Sequence, residues 1–438
     1  MSENRPHLLP SHAELPREIL ESVRRDHDRF AGEGLPADLD QYLRETYGLD
    51  MTASYAGIRL KNPWGKASGQ LSLNRAQIEE AAAAQLGLVV LKTVIAQDAK
   101  GLQTMSAWAI KESRMVVEPI ESPTTGAAGW TVSWKGRGWW HSYEDYLTLV
   151  GEACAIGANH DLLIVPSVKY HLPAPGETAW REDEYFETTR AIFQVYEATS
   201  ALPAMPLEKD FSPTLAGSSL AGQHAQVIEW LGRVPGLIRS AASRPGQVKV
   251  GLKLFNTLDQ DPFQLAMLAH VHKTATQPDF ITYANRLFDP ARSFEGQNGI
   301  AYGGPDLSDR NLRTLSAWRS TQQNVRANAG LLEISGTGDI SSGRIAVEYA
   351  LRGCTSFQIH TLFQLPADQY AMRIGSKVQK AMHRLYFDPQ DGFIVWGIHA
   401  ARRLGLVGDG GGIIRFLDLA RRGALSAICR GDLDSQSS

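Results

Sequence analysis

The chain has 438 residues, 43% of them hydrophobic and 21% charged, with a net charge of −3; this is globular composition, which confines disorder to the ends and offers no basic field to hold nucleic acid. Its three cysteines, Cys154, Cys354 and Cys429, stand far apart without a CxxC pair, which disfavours a disulfide framework, a thiolate zinc site and an iron–sulfur cluster; no metal site is expected. Neither an apolar run behind a basic N-terminal cluster nor a stretch of about 18 apolar residues occurs, so the expectation is a soluble cytoplasmic protein with a small-molecule substrate and no membrane partner.

Residues 1–50 read as a helical appendage, with Leu15, Ile19, Leu20 and Val23 at helical spacing and a Gly34-Leu35-Pro36 break before a second helical stretch. From Ile58 onward, short apolar runs alternate with helical patterns, the sign of βα units around a parallel sheet. Strands are predicted at Ile58–Asn62, Gly87–Thr93, Leu162–Val168, Ala201–Leu207, Val248–Leu254, Phe280–Ala284, Leu332–Ser335 and Ser356–His360, most rich in Val, Ile, Leu or Phe as strands covered on both faces should be. Eight such strands close a barrel. The predicted fold class is therefore α/β, a (β/α)8 TIM barrel over 51–385 with a helical N-terminal appendage (1–50) and a helical C-terminal extension (386–438). Between the second and third strands, Gly126–His141 sets Trp130, Trp134, Trp139 and Trp140 among glycines, a composition that suits either a lid over a flat ring or a surface loop packed on itself. Before the last strand, Ser342 is placed to cap a helix with Ile345, Ala346, Tyr349 and Ala350 on one face, and Gly353 to end it. Gly408–Gly412 lacks a strand before it and reads as a linker rather than a phosphate cradle.

Barrel active sites form at the C-terminal ends of the strands. Here strand one runs into Lys66-Ala67-Ser68-Gly69, strand two into Lys92-Thr93, strand four into Lys209-Asp210-Phe211-Ser212-Pro213-Thr214 and strand six into Asn285, while strand five carries Lys253. The run Ile334-Ser335-Gly336-Thr337-Gly338-Asp339-Ile340-Ser341-Ser342-Gly343 is a strand, a glycine turn and a capped helix start, which presents backbone N–H groups at the positive end of a helix dipole. Either this is an ordinary tight turn or it takes a phosphate, closed from the other side by His360-Thr361; this fold commonly binds phosphate after strands seven and eight.

Several motifs follow one another in order: Gly57-Ile58-Arg59-Leu60-Lys61-Asn62-Pro63 with Ala67-Ser68-Gly69, Lys92-Thr93, Gly251-Leu252-Lys253-Leu254, Thr282-Tyr283-Ala284-Asn285, Gly303-Gly304, and Gly336-Thr337-Gly338-Asp339-Ile340 with Gln358-Ile359-His360-Thr361. This ordered set, spread over roughly residues 55–385, resembles the dihydroorotate dehydrogenases, FMN-dependent barrel oxidoreductases. The resemblance implies FMN, held by Ala67, Ser68, Gly69, Lys92, Thr93, Lys253, Gly304, Thr337, Gly338, Gly343, His360 and Thr361. Lys253 would be the fixed cation for the negative charge that hydride brings to the flavin. Ser212-Pro213 matches the family's base, which removes a proton from one substrate carbon while hydride leaves its neighbour; a serine needs a hydrogen-bonded water or neighbour for this, and a plain Ser-Pro turn is the alternative. Lys209, Thr214 and Asn285 would face the substrate. The family has asparagines where Lys209 and Thr214 stand, and Thr124-Thr125-Gly126 with the tryptophan segment replaces its asparagine loop after strand two, so dihydroorotate is not expected as substrate.

The expected activity is thus FMN-dependent interconversion of a C–C single and double bond next to a carbonyl. The serine base resembles the membrane-quinone class and the barrel start the soluble class, which leaves the electron donor or acceptor open, and a homodimer too. A flavin-dependent isomerase without net redox change and a non-catalytic FMN-binding barrel are the alternatives; a quinone-linked membrane enzyme would dock through residues 1–50, a stretch highly charged for an interfacial helix.

Overall fold

The computed structural model describes residues 6–111, 115–134, 136–174, 176–211, 223–256, 261–294, 296–322, 331–408 and 412–426. They form an α/β fold around a curled, all-parallel sheet of ten short strands: β1 (Trp64–Lys66), β2 (Leu88–Val90), β3 (Val94–Ile95), β4 (Leu163–Val165), β5 (Ser167–Lys169), β6 (Met205–Asp210), β7 (Val248–Phe255), β8 (Phe280–Asn285), β9 (Glu333–Thr337) and β10 (Cys354–Ile359). Their order is β3-β5-β6-β7-β8-β9-β10-β1-β2-β4. Nearly every residue of these strands is buried, as expected of a parallel sheet with helices outside it and side chains filling its inner face.

The predicted strands shift by a few residues, and one moves altogether. Ile58–Leu60 is not in the main sheet; it pairs antiparallel with Ala53–Tyr55, because Ala56 (φ 57°) and Gly57 (φ 74°) both take the left-handed backbone that closes a two-residue hairpin. The hairpin packs Tyr55 beneath the sheet, where its ring meets Phe280 at 4.4 Å and its hydroxyl accepts from Gln358 Nε2 at 3.3 Å. The strand that takes the predicted position is Trp64–Lys66, paired with β10 and β2. Pro166 interrupts the predicted third strand between β4 and β5, since proline has no N–H for the ladder. The fourth strand runs over 205–210 rather than 201–207, so Glu208 and Asp210 belong to it.

The tryptophan segment is not a single loop. Ala128–Trp134 pairs antiparallel with Met115–Glu121 as a hairpin, and Trp139 is buried, donating from its backbone N to Thr93 O at 2.7 Å. A second hairpin, Leu287–Phe294 with Gln297–Tyr302, follows β8. It meets the first where Gly303 N donates to Thr131 Oγ1 at 3.1 Å.

The two ends of the chain pack together. Phe30 of the helix Arg17–Glu33 stacks edge-on against Phe387 of the helix Lys377–Phe387, and Leu49–Asp50 pairs in parallel with Ile414–Arg415. Ahead of the first helix, His7–Leu9 lie over the sheet's helices: Leu8 N and Leu9 N donate to Glu348 Oε1 at 2.9 and 2.8 Å, Arg352 pairs with Glu348 at 2.8 Å, and His7 Nε2 meets Asp309 at 2.9 Å. Among the described residues no helix is long and apolar enough to cross a membrane.

Candidate active site

A cavity opens at the C-terminal ends of the strands. Its wall collects Ala67 and Ser68 after β1, Lys253 of β7, Asn285 of β8, Thr337 of β9 and Gly338 just after it, and His360 and Thr361 after β10. These residues are far apart in sequence and share only the property of standing at strand ends. Trp130 and Val132 of the first hairpin cover one side, and Arg286, Arg384, Asp339 and Ser341 complete the wall.

The glycine turn after β9 is braced from below. Gly338 takes φ 104°, and a Cβ there would stand 2.6 Å from Asn311 Nδ2 and 2.9 Å from Ala284 O. Asn311 Nδ2 in turn donates to Ala284 O and Thr337 O at 3.0 and 2.9 Å, and Tyr349 OH donates to Gly338 O at 2.8 Å. Ser342 caps the following helix, Gly343–Ala350, accepting from Ile345 N at 3.3 Å. The Arg286 and Arg384 guanidinia make the positive end of the cavity, beside the turn 338–341; Arg344 N and Ile345 N of the helix start are engaged by Asp391 O and Ser342 Oγ. Arg286 donates to Val132 O, which ties the turn of β8 to the tryptophan hairpin; burial pulls its guanidinium down to about 10, still charged at neutral pH. Burial, and then Asp309, push the Asp339 carboxyl up to about 8, so at neutral pH it is protonated and presents no charge to oppose an anion. Gly343 does not reach the cavity wall; its missing side chain makes room for the backbone of Leu385 and Gly392. Gly304 serves the hairpin instead, where a Cβ would meet Ile120 Cγ2 at 2.7 Å.

Across the cavity the wall is hydroxyl and ammonium. Ser68 Oγ and Thr93 Oγ1 are 3.0 Å apart, and Thr93 Oγ1 is 3.0 Å from Ser167 Oγ. Lys253 Nζ lies 3.7 Å from Glu208 Oε1, while Glu208 Oε2 accepts from Thr282 Oγ1 at 2.8 Å and Gln358 Nε2 at 2.7 Å. Desolvation, then the nearby Lys253, bring Lys92 down to about 8. Gly69 is needed for contact: a Cβ would stand 2.7 Å from Cδ2 and Nε2 of the His360 ring. His360 is kept neutral, held down to about 3 by burial and then by Arg286, and Gln364 Nε2 lies 2.9 Å from its Nδ1.

Lys209 stands apart from this set. Successive residues of a strand face opposite ways, so Lys209 leaves β6 on the other side from Glu208, and its ammonium donates to Asp210 O at 2.9 Å and Tyr170 O at 3.4 Å. Ser212 and Thr214 lie outside the described residues. Lys66, also at a strand end, turns outward to Gln77 O and Glu80. Sequence reading missed Glu208, Arg286 and Arg384; Glu208 had a usable signal, a charged residue in or just beyond an apolar strand, whereas the two arginines had none. No family model matches the chain, and no match to a curated protein was found.

Proposed function

We propose that this chain is an FMN-dependent oxidoreductase on a closed (β/α)8 barrel, interconverting a C–C single and double bond next to a carbonyl in a small molecule other than dihydroorotate. Closure is supported at the two ends of the strand order: Leu91, Lys92 and Thr93 alone separate β2 from β3, and Pro166 alone separates β4 from β5. Leu91 N also donates to Val165 O at 2.9 Å, continuing the ladder between the two broken strands. Counted as one strand each, they bring the sheet to eight.

The observation that carries the cofactor reading is the cavity itself. Its positive end suits a phosphate, and the small Ala67 and Ser68 in its wall allow a flat ring to approach. FMN, when bound there, supplies a carrier for a hydride. Lys253, held in place by Glu208, offers a fixed ammonium to an anionic ring edge; Trp130 and the first hairpin exclude water; Ser212 is assigned the proton transfer at substrate carbon from its correspondence before Pro213. Titration of flavin-stripped protein with FMN and riboflavin, read by tryptophan quenching, tests the assignment. Charge-assisted bonds to the phosphate should favour FMN by about 10- to 100-fold. Equal affinity for both, or none for either, would remove the phosphate site from the account.

A further inference from the structure

The other ends of the strands hold a second cavity, of about 200 Å³, which among the described residues shares none with the first. It opens where three elements meet on the N-terminal side of the sheet: the hairpin strand Ile58–Leu60, the last turns of the helix Tyr143–His160 with the start of β4, and residues 200–202, which follow the helix Glu182–Thr199. Small residues leave this space between the elements, namely Cys154, Gly157, Ala158, Ser200 and Ala201. Asp161, at φ 48°, turns the chain sharply from helix to strand, and at Gly157 a Cβ would run into Leu162 O. The floor, made by Leu60, Cys154, Leu162, Leu163, Ile164 and Tyr196, is buried. Burial pushes the Cys154 thiol up to about 12 and the Tyr196 phenol above its usual range, so both are neutral at physiological pH. Polar atoms of the wall are engaged within the chain. Tyr196 OH donates to Ile164 O at 3.3 Å, Leu162 N to Gly157 O and Leu163 N to Gly87 O at 3.0 Å, and Leu202 N to Ser200 Oγ at 3.2 Å. Charge enters the described lining only through Arg59 and Asp161, which are mostly exposed, lie 3.9 Å apart and mark the mouth.

We propose that this cavity is a second binding site, which takes a small neutral apolar molecule of the size of an aromatic ring. An apolar cavity of about 150 Å³ is already large enough for benzene. A floor without charge, in a wall whose polar atoms are engaged, rewards apolar burial and dispersion contact and offers a charged ligand nothing to offset its desolvation. Barrel chemistry belongs to the C-terminal ends of the strands, so a molecule bound at the N-terminal ends is not the substrate, and its binding does not depend on FMN.

The test is calorimetric titration of the purified protein with benzene, with benzoate and benzylammonium as charged counterparts of the same ring, together with a crystal exposed to bromobenzene, in which the anomalous signal of bromine locates the ring. Benzene should bind at a single saturable site and raise the melting temperature. Benzoate and benzylammonium should bind more weakly by about 10-fold or more. The bromine should lie among Leu60, Cys154 and Leu202. Ala158→Phe and Ala201→Phe, at exposed positions of the lining, each bring a phenyl ring to the mouth and should abolish benzene binding, while added FMN should leave it unchanged. No saturable benzene binding, bromine found only outside this cavity, a charged ring bound as tightly as benzene, displacement of benzene by FMN, or unchanged binding in folded Ala158→Phe or Ala201→Phe would each overturn the proposal.

Discussion

Replacing Lys253 by Met puts the greatest strain on the account of the barrel interior. The methionine fills the same volume, but Glu208, fully buried, keeps only Thr282 and Gln358 and loses its cation at 3.7 Å. Breaking one partner of a buried pair costs about 3–5 kcal/mol. A chain of 438 residues has an unfolding entropy of about 0.9 kcal/mol/K, so the melting temperature should fall by about 3–5 °C. Glu208→Gln on the Lys253→Met background removes the stranded charge while an amide still serves Thr282 and Gln358, and should regain most of that loss. Scanning calorimetry of the wild type, both single variants and the double variant measures the coupling. A Lys253→Met protein as stable as the wild type, or a double variant whose loss is the sum of the singles, would refute the pair. The same Lys253→Met protein should retain FMN less well.

Ser212→Ala should leave FMN content normal and slow flavin reduction by substrate about 10²–10⁴-fold in rapid mixing, the usual worth of positioned proton transfer; an unchanged rate makes Ser212 a turn residue. His7 is pushed up to about 9 by its hydrogen bonds to Asp309 and Glu348, so its contribution to holding the N-terminal segment is fully present below about 6.5 and lost as pH rises through about 9. His7→Gln should therefore melt below the wild type at pH 6 and with it at pH 10. Burial opposes the charge on Glu348, yet His7, Arg352 and the Leu9 N–H bring it down to about 2, so its contribution persists above about 4.5 and fades only as pH falls through about 2. Gly338→Ala should lower both stability and FMN uptake, because the left-handed backbone and the Asn311 amide leave no room for a Cβ, whereas Gly303→Ala, whose nearest neighbour is 4.0 Å away, should leave stability little changed.

Much of the fold was legible because the alternation of apolar runs and helical patterns is a local signal, as is the Ser342 cap before its helix. The first strand was not. Ile58-Arg59-Leu60 has the alternation of a half-buried strand and forms one, but in a hairpin, while Trp64-Gly65-Lys66 takes the sheet position because Gly65 lets Leu88 and Phe357 approach closely, a contact no local pattern records. Charged residues misled in the other direction. Glu208-Lys209-Asp210 reads as the stretch that follows the fourth strand, yet these residues form its last three positions, and Glu208 is matched by Lys253 and Gln358 from distant parts of the chain. The glycine turn and His360-Thr361, read in the sequence as facing one another, do line one cavity; Arg286 and Arg384 join that wall only through folding. The pairing of Ala128–Trp134 with Met115–Glu121 likewise depends on a partner strand rather than on the tryptophans themselves.

The central claim is that this cavity holds FMN, and the absorbance spectrum of the purified protein, with the released chromophore identified by mass, tests it most directly. The expected result is a flavin spectrum, or one that develops on adding FMN, with a cofactor of the mass of FMN in about one-to-one ratio to the chain. A colourless protein that takes up no added FMN would contradict it.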